Sequence, residues 1–155
     1  MIESQSFSSK DAVIRSFERF LHYTCRCNRE SIEHRGLRPD FMAPGMAADL
    51  DEPNALRYCI PSHKVMTLQM VRNKYWVVCE CNPKIIEVHV PANVMATLRY
   101  GLDRSSSTTV SAMARLGKTS EDQLTPEEYH RIIVETGYVS CYDPVPPGTF
   151  AIVEL

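Results

Sequence analysis

The sequence contains no long hydrophobic run, no internal repeat and no excess of charge of one sign. No segment approaches the roughly 20 apolar residues that a membrane-spanning helix needs, so we expect no membrane partner. Residues 1–16 contain no apolar signal core, so we expect a cytoplasmic protein, or one secreted into a host cell without a cleaved signal peptide. The formal net charge of −2 gives no general electrostatic reason to bind nucleic acid or an anionic membrane surface.

The composition is that of an ordinary globular protein. Hydrophobic residues make up 44% and charged residues 23% of the 155 residues, which predicts a single domain, 1–155, with its own core. The chain has six cysteines, and without an export signal we expect them to be reduced. Two Cys-x-Cys pairs, Cys25/Cys27 and Cys79/Cys81, are spaced more tightly than the cysteines of structural zinc sites, so no metal site is predicted.

Helical and strand patterns are mixed along the chain. The strongest helix start is Thr125-Pro126-Glu127-Glu128, where a Thr cap precedes Pro at the first helical position and Glu at the third. β-branched and aromatic residues predict strands at Tyr75–Glu80 and Ile85–Val90. The other predicted elements are helices at about Ser9–Glu18, Asn28–Arg35, Ser62–Met70 and Val94–Arg99, strands at Phe20–Thr24, Tyr58–Ile60, Tyr138–Tyr142 and Thr149–Glu154, and a long loop at Pro39–Asn54.

Several predicted strands follow one another too closely for parallel pairing. Parallel neighbours need a crossover of about a dozen residues or more, whereas antiparallel neighbours accept a short turn. With helices interspersed, the pattern predicts an α+β fold with a mostly antiparallel sheet. In the helix that starts at Ser62, we expect Val65, Met66, Leu68 and Met70 on the buried side.

Three groups of residues, in this order, resemble motifs of the ADP-ribosyltransferase superfamily. Leu21-His22-Tyr23-Thr24, Ser31-Ile32 and Arg35–Pro39 resemble the first motif of its histidine-containing branch, in which a strand with His-Tyr-x or His-x-Thr precedes a helix and Gly-Leu. Ile85–Ala92 resembles the central strand that follows the second motif. The third group resembles the closing hairpin of that fold and consists of Val139-Ser140, Pro144–Pro147 and Ile152–Glu154. The branch includes diphtheria-toxin-like enzymes, DNA- and protein-modifying bacterial toxins and RNA 2′-phosphotransferases.

The resemblance implies two small, mostly antiparallel sheets with a cleft between them that binds NAD. It implies mono-ADP-ribosyl transfer from NAD, as a substrate, to a protein or nucleic-acid acceptor, with the protein acting as a bacterial toxin or effector. Breaking the glycosidic bond builds positive charge on the ribose, so a nearby carboxylate stabilises the transition state. Two alternatives remain: a catalytically degenerate protein-interaction module, and a nucleic-acid-modifying enzyme of the same fold.

Roles for individual residues follow from the same resemblance. His22 is the expected ribose ligand and catalytic histidine, Tyr23 and Thr24 line the pocket, Arg38 contacts phosphate and Ser62 marks the second motif. Each has a structural alternative, since a strand histidine is often a satisfied structural group.

The resemblance leaves more than one candidate for the catalytic acid. Glu135 is the acid nearest to the expected position, but a tight alignment on Pro144–Pro147 places Tyr138 there, which makes Tyr138 a cofactor-binding candidate. Glu121 and Asp143 are the other acids that a loop would bring in.

Overall fold

The computed structural model describes residues 6–39, 55–78, 84–104 and 106–155. Within them the helices are α1 (Lys10–Arg15), α2 (Arg29–Arg35), α3 (Lys64–Val78), α4 (Ala92–Met95), α5 (Ser107–Arg115) and α6 (Pro126–Thr136). The strands are β1 (Arg19–Cys25), β2 (Leu56–Cys59), β3 (Ile85–Pro91), β4 (Tyr100–Leu102), β5 (Tyr138–Cys141) and β6 (Ala151–Glu154). The predicted loop at residues 40–54 and the Cys79/Cys81 pair lie outside the described residues.

The described strands form one six-stranded sheet in the order β4-β5-β2-β1-β3-β6, with every neighbouring pair antiparallel. This confirms the predicted α+β class and the antiparallel sheet. β1 runs beside β3 over its whole length, and β2 runs beside β5, but β1 and β2 are in register only at Leu21 and Cys59. We call this narrow contact between the two three-stranded halves the junction. The prediction of two sheets was wrong in number, because pairing at the junction joins the halves.

The two faces of the sheet carry cores of different size. On one side, which we call the core face, Phe20, Tyr58 and Val88 pack with buried residues of the helices; those helix residues include Val13, Ile14, Ile32, Met95, Met113, Ile132 and Ile133. On the other side, the α3 face, a smaller cluster packs against Leu68 and Val71 of α3. Because successive strand residues point to opposite faces, His22 and Tyr23 are directed to different sides of β1.

The predicted start and end of α6 are confirmed. Thr125 and Glu128 form the reciprocal capping box, with Pro126 as the first helical residue. Gly137 ends the helix in the left-handed conformation, with φ of 84°. Local sequence determines these features because each hydrogen bond is made within a few residues of the chain.

Two expectations for α3 were wrong. The segment Tyr75–Glu80 was predicted as a strand, but its residues up to Val78 continue the helix. Local β-propensity is a weak preference, and a helix that has already formed extends through such residues at little cost. The apolar side was also misplaced, since Val65, Met66 and Met70 are 80%, 59% and 50% exposed.

Polar groups on the sheet explain the orientation of α3. The residues that face the sheet are spaced at three, four and seven positions, as one face of a helix requires. Leu68 and Val71 pack on the apolar part of the α3 face. Lys64 pairs with Glu87 and Thr67 bonds to Tyr138. Buried polar groups need partners, so the helix turns its polar residues inward and leaves Val65 and Met66 outside.

A substitution at Glu18 tests the backbone strain between α1 and β1. Glu18 has φ of 62°, the left-handed region, and its carbonyl accepts a hydrogen bond of 2.8 Å from the Ala92 N–H. We expect Glu18→Gly to raise the free energy of unfolding by about 0.5 kcal/mol, because relief of strain exceeds the entropy cost of glycine. Urea denaturation measures the change. Glu30→Gly in exposed α2 is the control and should lower stability by about 1 kcal/mol; a loss at both positions would contradict the prediction.

Candidate functional site

His22 lies where β1 and β2 separate, one residue beyond the junction pair. Its Nδ1 is 3.0 Å from the carbonyl oxygen of Arg57, and its ring centroid is 5.4 Å from that of Tyr58. A carbonyl only accepts, so Nδ1 carries the hydrogen and donates it. Burial lowers the pKa of His22 below its ordinary value of 6.5, against the smaller opposing effect of the Arg57 carbonyl. The neutral ring therefore presents Nε2 as an acceptor, and in the described part of the chain no group bonds to it.

Arg57 connects several parts of the junction and was not among the residues predicted from the sequence. Its Nε is 2.9 Å from Oδ2 of Asp103, a carboxylate that is almost fully buried at the end of β4. Its guanidinium carbon is 5.3 Å from the ring centroid of Tyr138. The backbone carbonyl of the same residue holds His22. The sequence signal that would have identified Arg57 is a charged residue between Leu56 and Tyr58, at the start of a short strand.

Tyr138 is the first residue of β5 and pairs in register with Cys59 of the junction. Its buried side chain lies on the α3 face, where its hydroxyl is 2.9 Å from Oγ1 of Thr67. Three adjacent strands carry His22, Arg57 and Tyr138 to the junction, with the His22 ring beside Tyr58 on the core face and the Arg57 and Tyr138 side chains on the α3 face. Of the candidate residues from the sequence, His22 and Tyr138 belong to this group.

Tyr23 and Thr24 are buried beside His22, and each makes a structural hydrogen bond. The Tyr23 hydroxyl donates to Oε2 of Glu87 at 2.6 Å on the α3 face. Burial, together with Glu87, raises the pKa of Tyr23 well above its ordinary value. Thr24 Oγ1 accepts from Nδ2 of Asn28 at 2.8 Å, just before α2. These bonds connect β1 to β3 and to α2, so both side chains support the strand that carries His22.

The first and last motifs of the resemblance meet in space. Leu37 and Val145 form a two-way backbone bridge, with N–H to O distances of 3.1 and 2.8 Å. Arg38 follows this bridge and is exposed. Ser62 is exposed in the short turn before α3, with its Oγ 3.2 Å from Nδ1 of His63.

Glu135 lies on the exposed side of α6 and not in the group around His22. Its Oε2 is 3.0 Å from Nη2 of Arg115 on α5. Gly137 ends the helix after Glu135, so the chain reaches the sheet only at Tyr138. Its predicted role as the catalytic acid therefore gains no support from its position.

The other two candidate acids also have partners away from His22. Glu121 accepts from the Leu102 N–H at 2.6 Å and pairs with Arg104 at 3.3 Å. Asp143 accepts from both the backbone N–H and Nε of Arg99 at 2.9 Å. Each carboxylate thus holds a neighbouring loop in place.

Glu87 is a buried carboxylate with three donors on the α3 face, and the sequence pattern placed it only within a strand. It accepts from Tyr23, from Lys64 Nζ at 3.1 Å and from His89 Nε2. Burial alone raises the pKa of Glu87, but the hydrogen bonds from Tyr23, Lys64 and His89 outweigh it, so the pKa lies below its ordinary value of 4.5. The carboxylate is ionised at neutral pH.

The described cysteines differ in burial. Burial raises the pKa of Cys59 to about 11, which keeps this thiol protonated at neutral pH. Cys25 is buried while Cys27 is exposed. Among the residues that the structure describes, no three His, Cys, Asp or Glu side chains cluster as metal ligands would.

The chain was compared with protein-family models and with curated proteins. No family model matches it, and no curated protein matches it at a significant level. Over the described ranges, none of the helices combines the length and apolar character needed to cross a bilayer.

Proposed function

We propose that the chain binds NAD at the junction and transfers ADP-ribose to a macromolecular acceptor, a protein or a nucleic acid. The observation that carries the proposal is the state of His22. A neutral imidazole whose Nδ1–H is used by the Arg57 carbonyl presents Nε2 to accept from a hydroxyl, and ribose offers such hydroxyl groups. The motif resemblance assigns the same contact to this histidine.

The finer fold follows from the same proposal. The halves β4-β5-β2 and β1-β3-β6 take the place of the two small sheets, and the separation of β1 from β2 is the cleft. Arg57, half-buried on the α3 face beside that separation, supplies a guanidinium suited to phosphate oxygens. The toxin or effector role is part of the same proposal and rests on the motif resemblance.

Asp103 is the carboxylate that we assign to the reacting ribose. It lies 2.9 Å from Arg57 Nε, and Arg57 is also the residue that holds His22 and covers Tyr138. A carboxylate in this position stabilises the positive charge that develops on the ribose as nicotinamide leaves. Glu135, Glu121 and Asp143 are each paired elsewhere.

A specific observation favours a second candidate, an interaction module of the same fold without transfer activity. All three acids that the sequence offered for catalysis make structural contacts away from His22. In that case the junction binds the nucleotide or a partner and no bond is broken. NAD binding is common to both candidates when the ligand is the nucleotide, so transfer has to be measured separately.

Calorimetry with NAD tests the binding step. We expect His22→Ala to weaken NAD binding by about tenfold, the effect of losing one hydrogen bond and its contacts. His34→Ala on the exposed end of α2 is the matched control and should bind as the parent does. Affinity should also fall as the pH drops through the pKa of His22, which burial holds below 6.5, because protonation removes the acceptor. Equal affinity of His22→Ala and the parent would overturn the proposal.

Labelled NAD and a cell lysate test the transfer step. We expect label transfer to fall by at least about a hundredfold in Asp103→Asn, the scale on which removal of a charge-stabilising group acts. Glu135→Gln is the control and should retain activity. Loss in Glu135→Gln alone would refute the assignment of Asp103. NAD binding without any transfer by the parent would establish the second candidate.

A further inference from the structure

A groove of about 430 Å³ opens at the edge of the sheet, separate from the group around His22. It is lined by the start of β1, the end of β3 and the turn before β6: Glu18, Arg19, His89, Pro91, Gly148, Thr149, Phe150 and Ala151. His89 is on the α3 face, opposite Leu21 of β1 and Ala151 of β6 in register. The proposed NAD contact at His22 uses none of these residues.

His89 is held in a defined orientation by a buried carboxylate. Glu87, whose side chain is 3% exposed, accepts from Nε2 of His89. A carboxylate only accepts, so Nε2 carries a hydrogen. Tyr23 and Lys64 hold the other oxygen of Glu87, which fixes the carboxylate between β1 and α3. Nδ1 of His89 has no hydrogen-bond partner in the described ranges, and the side chain is 24% exposed at the groove.

The charges around the groove favour an anion once His89 is protonated. Lys64 offsets the negative charge of Glu87. The two positive charges of Arg19 and the imidazolium then exceed the one negative charge of Glu18. Among the described residues no other charged side chain lines the groove, since β6 presents Ala151 and the turn presents Gly148, Thr149 and Phe150. Arginine binds phosphate oxygens through paired N–H groups, and Pro91 and Phe150 add an apolar wall.

We propose that this groove is a second ligand site, which binds a phosphate monoester carried on an apolar stem. Arg19 and protonated Nδ1 of His89 donate to the phosphate oxygens, and the stem packs on Phe150 and Pro91. Glu87 acts as a positioning residue, because it holds the imidazole through Nε2 and leaves Nδ1 for the ligand. The site does not depend on the proposed NAD chemistry.

Phenyl phosphate is the probe, with binding followed by calorimetry and by amide chemical shifts. We expect His89→Gln and Arg19→Gln each to weaken binding by about tenfold, while Arg131→Gln on the exposed side of α6 leaves it unchanged. Inorganic phosphate, which lacks the stem, should bind more weakly.

The outcomes separate this site from the junction. Binding of phenyl phosphate should persist in His22→Ala and in the presence of NAD. Arg19 is exposed, so its variant tests the site even where His89→Gln perturbs folding. Absence of binding at millimolar probe, equal binding by Arg19→Gln and the parent, or displacement of the probe by NAD would each overturn the proposal.

Discussion

Replacing Gly36 by alanine is expected to lower the free energy of unfolding by about 3 kcal/mol. Gly36 ends α2 with φ of 78° and ψ of −176°, a combination that side chains other than hydrogen rarely permit. A Cβ there would lie 2.1 Å from the carbonyl oxygen of Val145. That carbonyl is held by the Leu37 N–H, so the backbone on both sides resists a shift. Thermal and urea unfolding measure the loss.

Gly117→Ala is the matched control for Gly36. Gly117 also has positive φ, 69°, but no atom lies within 4 Å of the position of an added Cβ. Only the conformational strain remains, so we expect a loss of about 1 kcal/mol. The difference between the two variants isolates the close approach of Gly36 to the Pro144–Pro147 segment. Equal losses would show that the two motifs do not meet as described.

Replacing Glu87 by glutamine is expected to lower the free energy of unfolding by about 2 kcal/mol at neutral pH. The amide keeps the size of the side chain, but it has one accepting oxygen where the carboxylate has two. Tyr23, Lys64 and His89 then compete for the one amide oxygen. At least one of these donors is left without its partner in a buried environment. Glu33→Gln, in an exposed pair with Arg29, is the control and should cost less than about 0.5 kcal/mol.

We also expect the stability difference between the parent and Glu87→Gln to depend on pH. The pKa of Glu87 is lowered in the folded protein from its ordinary value of 4.5, so its stabilising effect is complete above pH 4.5. The effect is lost as the pH falls through the lowered pKa, because the folded carboxylate then has to be protonated. His22 also makes stability depend on pH, between its lowered pKa and 6.5. This contribution is the same in the parent and in Glu87→Gln, so it cancels when their free energies of unfolding are subtracted.

Urea midpoints measured from neutral to acidic pH test this directly. The gap between the parent and Glu87→Gln should stay constant down to about pH 4.5 and then narrow. A gap that widens on acidification would show that burial, and not hydrogen bonding, controls the carboxylate. A constant gap at all pH values would show that the ionised form has no advantage.

Features determined by neighbouring residues were predictable from the sequence. The cap at Thr125 and Glu128, the end of α6 at Gly137 and the alternation in β1 and β3 all depend on contacts within a few positions. The antiparallel arrangement followed from connections too short for parallel crossovers. His22 was identified from its motif, and the structure places it at the separation of two strands.

The tertiary structure alone decided which residues surround His22 and how α3 lies on the sheet. Arg57 and Asp103 are far apart in sequence, and Glu87 meets Lys64 only when α3 packs on the sheet. Sequence periodicity placed Val65 and Met66 inside, but the buried Glu87 and Tyr138 need polar partners that only Lys64 and Thr67 supply. Local sequence thus determined where elements begin and end, because caps and turns bond within the chain's own neighbourhood. The fold decided orientation and partners, since a buried charge requires a donor from wherever packing brings one.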